Sequence, residues 1–288
     1  MKRNILITML LVAVVALPVR VHAVAKIKST RVEVKQSIRM IDPEDDSDSQ
    51  GYKMTKTVHM NWPVTVNGKH SEALSHYVLD SLFHAYESPK DFNNYEVTGG
   101  EDLANILGDW VDKSLRSNSM LETYIIKEVN EMPELNEEEY PMSCWYQNLE
   151  FGHEFSEGDL AFFAARYEDY YGGAHGMFAT IYYPFDTRLD KPISIKDIVT
   201  NEKAVLRMLP SYDGRPKENQ WWDNITDIDN FYIRHGKITF VFSPYAVGPF
   251  CDGEVEVDIP LSVLKSKGLL TAYGKTFVKT NSKRKRKK

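Results

Sequence analysis

Between Cys144 and Pro260 the chain is built from apolar-alternating runs parted by glycine-bearing turns, and this restricts its fold more than any other feature of the 288 residues. Side chains that alternate with period two line one face of a pleated strand. Residues 144–155 alternate loosely, residues 160–171 lead into Gly172 and Gly173, and residues 177–185 leave the same turn. Strands joined by so short a loop are antiparallel neighbours. Residues 230–234 and 237–242 flank His235-Gly236, a two-residue link of the kind used by primed hairpin turns, where glycine accepts positive φ without steric cost. Residues 253–259 supply one more strand, and Pro260-Leu261-Ser262 opens a short helix through Leu264.

Upstream, residues 30–41 and 52–66 also read as strands, with Val32, Val34 and Ile38, then Met54, Val58, Met60 and Trp62, as their apolar positions. They form a hairpin across the acidic stretch Asp42 to Asp48. Ser71 caps a helix whose stripe is Leu74, Val78 and Leu82 with Tyr77 and Phe83. A second helical stripe covers residues 101–130 through Leu103, Ile106, Leu107, Trp110, Val111, Leu115, Leu121, Tyr124, Ile125 and Val129, broken in two at residues 116–119. Strands and helices segregated in this way predict an α+β fold: an antiparallel sheet with flanking helices, in two closely associated subdomains. The expected divisions are 1–23, 24–142, 143–273 and a basic disordered tail at 274–288.

The first division is a secretory signal peptide. Lys2 and Arg3 precede an apolar run from Ile5 to Leu17, interrupted only by Thr8. Such a run spans ~20 Å as a helix, short of the ~30 Å hydrocarbon core of a bilayer, so it predicts no lasting membrane anchor. Pro18 ends it, and Val21 and Ala23 place small residues at the −3 and −1 positions of a cleavage site after Ala23. The expected location is the periplasm or the cell exterior. With Lys2, Arg3 and Arg20 removed and the six basic residues 283–288 set aside, 26 basic residues face 41 acidic ones, a net charge of −15. An exported, acidic body excludes nucleic acid as a partner. The tail then reads either as a solubilising end or as a peripheral contact to anionic lipid or wall polymer.

Chemistry-bearing residues are few. Cys144 and Cys251 stand in an oxidising compartment. A bridge between them would close about 107 residues, worth up to ~4.7 kcal/mol in the chain-entropy account; two buried thiols and a catalytic thiol with His175 and Asp186 are the other readings. The densest cluster is Tyr170-Tyr171-Gly172-Gly173-Ala174-His175-Gly176. Its glycines let the backbone turn sharply, and its imidazole either bonds within the loop or serves a ligand. The acidic 42–48 stretch lacks the Asp-x-Asp-x-Asp-Gly spacing of a calcium loop. His153-Glu154 lacks the second histidine of a zinc protease, and neither a Gly-x-Ser-x-Gly elbow nor a phosphate-cradling Gly-rich loop is found in the sequence. No metal or cofactor is expected.

Tyr170 to Gly176, Phe185-Asp186, residues 192–198, Phe231-Tyr232, residues 240–245 (FVFSPY), Gly253 and residues 254–260 resemble, in order, the motifs of domain-of-unknown-function family 3298. This is the C-terminal domain of RsiV-type anti-sigma factors, found also in PdaC-type peptidoglycan deacetylases. The resemblance covers about residues 143–270. Met60-Asn61-Trp62-Pro63-Val64 and the helix after it are similar to the companion N-terminal module of PdaC-like proteins. The resemblance implies an α+β fold and an extracytoplasmic binding or sensing role. In the anti-sigma factors the domain binds lysozyme, a ligand that does not transfer to this chain.

The expected function is a non-catalytic envelope binding or sensing protein. Its partner would be an envelope protein or a peptidoglycan fragment, and Tyr171, Gly172, Gly173, His175, Gly176 and Tyr245 are the candidate contacts. The alternative is a wall-acting hydrolase or transferase that uses carboxylates or His175.

Overall fold

The computed structural model describes residues 24–41, 51–84, 100–116, 124–127 and 144–278. The expected signal peptide, the acidic 42–48 stretch and the basic run 283–288 lie outside them. β1 (Ile27–Ile41) and β2 (Tyr52–Val66) pair antiparallel along nearly their whole length. Val32, Ile38, Met54, Val58, Met60 and Trp62 are buried on one face, as period-two alternation requires. The Ser71 hydroxyl caps α1 (Glu72–His84) by accepting the Leu74 N–H at 3.0 Å, and it donates to Asp190 at 2.6 Å. This cap sets the helix so that Leu74, Val78 and Leu82 point into the core.

α2 (Gly100–Arg116) lays Leu103, Leu107, Trp110, Val111 and Leu115 against β1 and β2. The helix expected to follow is replaced, where the structure describes it, by β3 (Ile125–Lys127), which pairs antiparallel with the end of β1. The β-branched pair Ile125-Ile126 suits a pleated edge better than a helix, and the edge of β1 supplies its hydrogen bonds.

β4 (Cys144–Glu157), β5 (Leu160–Tyr170) and β6 (Met177–Asp186) form the expected antiparallel meander, and β7 (Lys191–Pro192) closes it. The sheet order is β3-β1-β2-β4-β5-β6-β7. One pairing departs from the expected pattern: β2 and β4 are parallel, in register from Lys53↔Cys144 to Met60↔Phe151. The N-terminal hairpin and the C-terminal meander are therefore one mixed sheet.

Residues 160–165 of β5 are all fully buried, because each face of this strand meets a different core. Ala161, Phe163 and Ala165 join the core beneath α1 and α2. Leu160 and Phe162 join a second core, built with α3 (Ile195–Ile198), α4 (Glu202–Leu206), α5 (Leu261–Ser266) and the three-stranded sheet β10-β9-β8. In that sheet β8 (Phe231–Arg234) and β9 (Lys237–Phe242) meet at His235 (φ 53) and Gly236 (φ 79), the two positive φ values of a type I′ turn. β10 (Val255–Pro260) follows. Residues 274–278, read from sequence as the start of the tail, instead pack on this core: a 3-10 helix at Gly274–Phe277 presses glycine backbone against the Ile198 carbonyl.

The second lobe is tied to the sheet through polar side chains. Glu254 takes the Thr180 N–H and hydroxyl, while Asn230 accepts from Tyr182 N–H at 2.9 Å and donates to the Thr180 carbonyl at 2.8 Å. Farther out, Arg215 donates to Asp213 (2.8 Å), Asp252 (2.9 Å) and the Val247 carbonyl (2.9 Å), and the Trp222 indole donates to Asp213 (3.1 Å). Burial works to raise the Asp213 carboxyl, but its bonds to Arg215 outweigh that and hold it below the usual carboxylate range.

A carboxyl depressed in the folded state contributes stability above its unfolded value and loses it as pH falls through the folded one. Asp213→Asn should therefore remove part of the acid sensitivity of urea unfolding. Arg215→Ala, which strands a buried carboxylate, should cost about 3–5 kcal/mol at neutral pH.

Candidate functional site

The loop between β5 and β6 forms because Gly172 (φ 84) and Gly173 (φ 92) take backbone angles that side chains resist. Gly176 is needed for another reason: a Cβ there would collide with the Asp169 carbonyl. Tyr171 turns inward, where its hydroxyl accepts from the Gln147 amide and its ring meets Trp145 edge-on at 6.0 Å. Among the expected contacts it serves the core. His175 is exposed. Its Nδ1 lies 3.0 Å from the Gly176 carbonyl and its Nε2 lies 3.3 Å from the Tyr245 hydroxyl. The tautomer with its proton on Nδ1 satisfies both, with Nε2 as acceptor.

The structure brings His175 and Tyr245 together on a third ring that sequence reasoning passed over. The imidazole stacks on Phe250, with centroids 3.8 Å apart at 17°. Phe178 meets Phe250 edge-on at 5.8 Å, and Tyr245 lies 5.5 Å from it. Phe250 sits in a 3-10 turn, Phe250–Asp252, without the periodicity that would have singled it out. Tyr245 is held in a turn closed by the Ala246 N–H on the Ser243 carbonyl at 3.0 Å. Pro244 takes the second place and Tyr245, at φ 68, the third; in a type II turn that third place normally goes to glycine or asparagine.

No disulfide joins Cys144 to Cys251. The first is half-buried in the sheet opposite Lys53, and the second is exposed in the Phe250 turn, so the two thiols are carried by separate elements. Nor do Cys144, His175 and Asp186 assemble. Asp186 ends β6 while His175 precedes its start, a strand length of about 30 Å away. The Asp186 carboxylate accepts the Arg188 and Leu189 N–H groups and the Tyr273 hydroxyl. Among the described residues, no three His, Cys, Asp or Glu side chains gather as metal ligands, and no helix is long and apolar enough to cross a membrane.

Beside the aromatic platform, the polar sheet face left uncovered by the second lobe forms a trough of about 570 Å³. Its floor is a single cross-strand row: Glu33, His59, Glu150, Arg166 and Thr180 stand opposite one another on β1, β2, β4, β5 and β6. His59 lies 3.4 Å from Glu33, and Arg166 donates to Glu154 at 2.7 Å. From sequence these were only the polar positions of separate strands; their alignment depends on the β2–β4 pairing.

Residues 191–262 match the model of the family described as "Protein of unknown function (DUF3298)". The matched DUF3298 segment runs from β7 to α5; it includes Tyr245 and Phe250 and stops short of the glycine loop. A solved DUF3298 structure from Bacteroides fragilis NCTC 9343 is similar in fold, with TM-score 0.54 and 18% identity over 86% of this chain and 96% of that one. A DUF3298 protein from Pseudomonas aeruginosa PAO1 has TM-score 0.47 and 12% identity over 88% and 98%. No curated protein matches the sequence.

Gly176→Ala should destabilise the β5–β6 junction by about 1–3 kcal/mol through overpacking, measured by thermal unfolding. Gly68→Ala has open space around it but φ 80, so it should cost only the backbone penalty of about 1–2 kcal/mol.

Proposed function

We propose that this chain is an exported cell-envelope protein that binds its partner without transforming it, and that the partner meets the His175–Phe250–Tyr245 platform. The observation that carries this reading is Tyr245: a side chain 49% exposed, held at the turn position where glycine would be unstrained. A left-handed tyrosine costs about 1–2 kcal/mol relative to glycine, a cost that burial does not repay here. Backbone strain of this kind clusters at ligand contacts. Tyrosine also offers a large amphipathic surface with few rotors to freeze on binding. Phe178, 37% exposed, and Met177 extend the apolar surface.

Export rests on the pattern of residues 1–23. The extracytoplasmic binding role is supported by the resemblance to RsiV-type domains, with a PdaC-like module before it, and the partner class is an envelope protein or a peptidoglycan fragment. A wall hydrolase or transferase built on His175 would want a carboxylate beside the ring, and the ring faces Phe250 and Tyr245 instead.

Tyr245→Gly separates the roles, because glycine keeps the turn while removing the ring. Its melting temperature should equal or exceed that of the parent chain, while retention on a defined envelope component falls at least tenfold, as it should for His175→Ala. Purified peptidoglycan, lysozyme and isolated envelope proteins serve as probes for the mature chain. Failure of all of them to saturate, or undiminished binding by Tyr245→Gly, would overturn the proposal.

A further inference from the structure

The polar trough beside the platform is bonded at its rim and open at its centre. Around the rim, Arg166 holds Glu154 at 2.7 Å, and Glu254 takes the Thr180 N–H and hydroxyl. Glu168 accepts from the Tyr146 hydroxyl at 3.2 Å and from the Asn148 amide at 3.4 Å. Next to the Glu33–Arg166 row runs a second one, Lys35, Thr57, Asn148, Glu168 and Phe178, on β1, β2, β4, β5 and β6. Here Thr57 is only 9% exposed, yet its hydroxyl has no hydrogen-bond partner among the described residues. Two residues on, His59 Nδ1 is buried and equally unmatched; the Glu33 carboxylate, 3.4 Å away, lies out of alignment for a hydrogen bond. Lys35, opposite Thr57, and Glu150, opposite His59, make neither a hydrogen bond nor an ion pair among the described residues. Buried polar groups are rarely left unpaired, because each such group costs the fold free energy.

The four open side chains form a mixed set. A hydroxyl both donates and accepts, an imidazole carries one donor and one acceptor, a carboxylate accepts and an ammonium donates. Sugar hydroxyls, which also do both, match all four. The lining sets the carboxylates Glu33, Glu150, Glu168 and Glu254 against the cations Lys35 and Arg166, a balance that repels phosphate-rich polymers. A peptide that joins a sheet does so through main-chain bonds at an edge, whereas on this face the five strands are paired with one another. Five strands about 4.8 Å apart give each row a span of roughly 19 Å, so the seat is elongated. At its β6 end Phe178 meets Phe250 edge-on at 5.8 Å and presents an apolar surface suited to the C–H face of a sugar ring.

We infer that the trough is a glycan subsite. It seats a short uncharged oligosaccharide across the strands: Thr57, His59, Glu150 and Lys35 bond its hydroxyl and amide groups, and Phe178 leads it onto the aromatic platform. This deepens the binding reading above, rests on it for the platform end, and selects the sugar of a peptidoglycan fragment over its peptide.

Calorimetric titration of the mature chain with short oligomers of N-acetylglucosamine, and with peptidoglycan glycan strands stripped of their peptides, tests the assignment. Free stem peptides and polyphosphate are the contrasts. The glycans should saturate and the contrasts should not. Glu150→Gln should weaken glycan binding about tenfold or more, and Thr57→Val, which exchanges the hydroxyl for a methyl group, about three- to tenfold. Neither variant removes a bond of the fold, so neither should lower the melting temperature, and Thr57→Val should raise it. A glycan that fails to saturate, or that binds both variants as tightly as the parent, would overturn the subsite; lysozyme or envelope-protein binding lost in Tyr245→Gly would then leave the platform reading standing. Glycan binding that the trough variants weaken and Tyr245→Gly leaves whole would uphold the trough and overturn the platform.

Discussion

The structure depends on one strand being apolar on both faces. Because residues 160–165 of β5 are buried whichever way they point, neither core can form without it. Ala161, Phe163 and Ala165 complete the core under α1 and α2, while Leu160 and Phe162 complete the one under β8–β10. Two adjacent phenylalanines on opposite faces, flanked by alanines, let a helix layer approach one side and a sheet the other. Farther along the same strand, Arg166 and Glu168 replace the apolar residues on the second-lobe face. The second core stops there, and the trough begins.

The aromatic platform follows from the same geometry. The meander brings the start of β6 to the rim of the second lobe, where Glu254 and Asn230 fasten it. That attachment holds the glycine loop against the Phe250 turn and lets His175 stack across the gap. The platform is composed from both sides of a junction, so its ring spacing reports how firmly the lobes are joined. The Arg215–Asp213–Asp252 bonds brace the second lobe farther out, while Tyr245 stays exposed at the junction.

Much of this was legible in the sequence because it is written in short-range patterns. Tyr52–Val66 and Lys237–Phe242 coincide with their alternation, Ser71 caps its helix, and His235-Gly236 makes its turn. What failed to show was long-range pairing. Periodicity gives the buried face of β2 and of β4 but says nothing about their being parallel neighbours, so the Glu33–Arg166 row was not visible. Ile125 and Ile126 fit a helical stripe as well as a strand, and only the neighbouring edge of β1 decides between them. Tyr171 and His175 sit in one loop yet face opposite ways. Phe250 carries no pattern; only the fold places it beneath the imidazole.

The side chains that fasten β6 have a further effect. A strand with vacant amides and carbonyls invites another chain to add to it, the first step of edge-to-edge aggregation. On β6 the Thr180 and Tyr182 amides and the Thr180 carbonyl are already taken by Glu254 and Asn230. An intruding strand would have to displace a carboxylate and an amide, and would meet the negative charge of Glu254 as it did so. The attachment that joins the lobes thus also protects the molecule from its own copies.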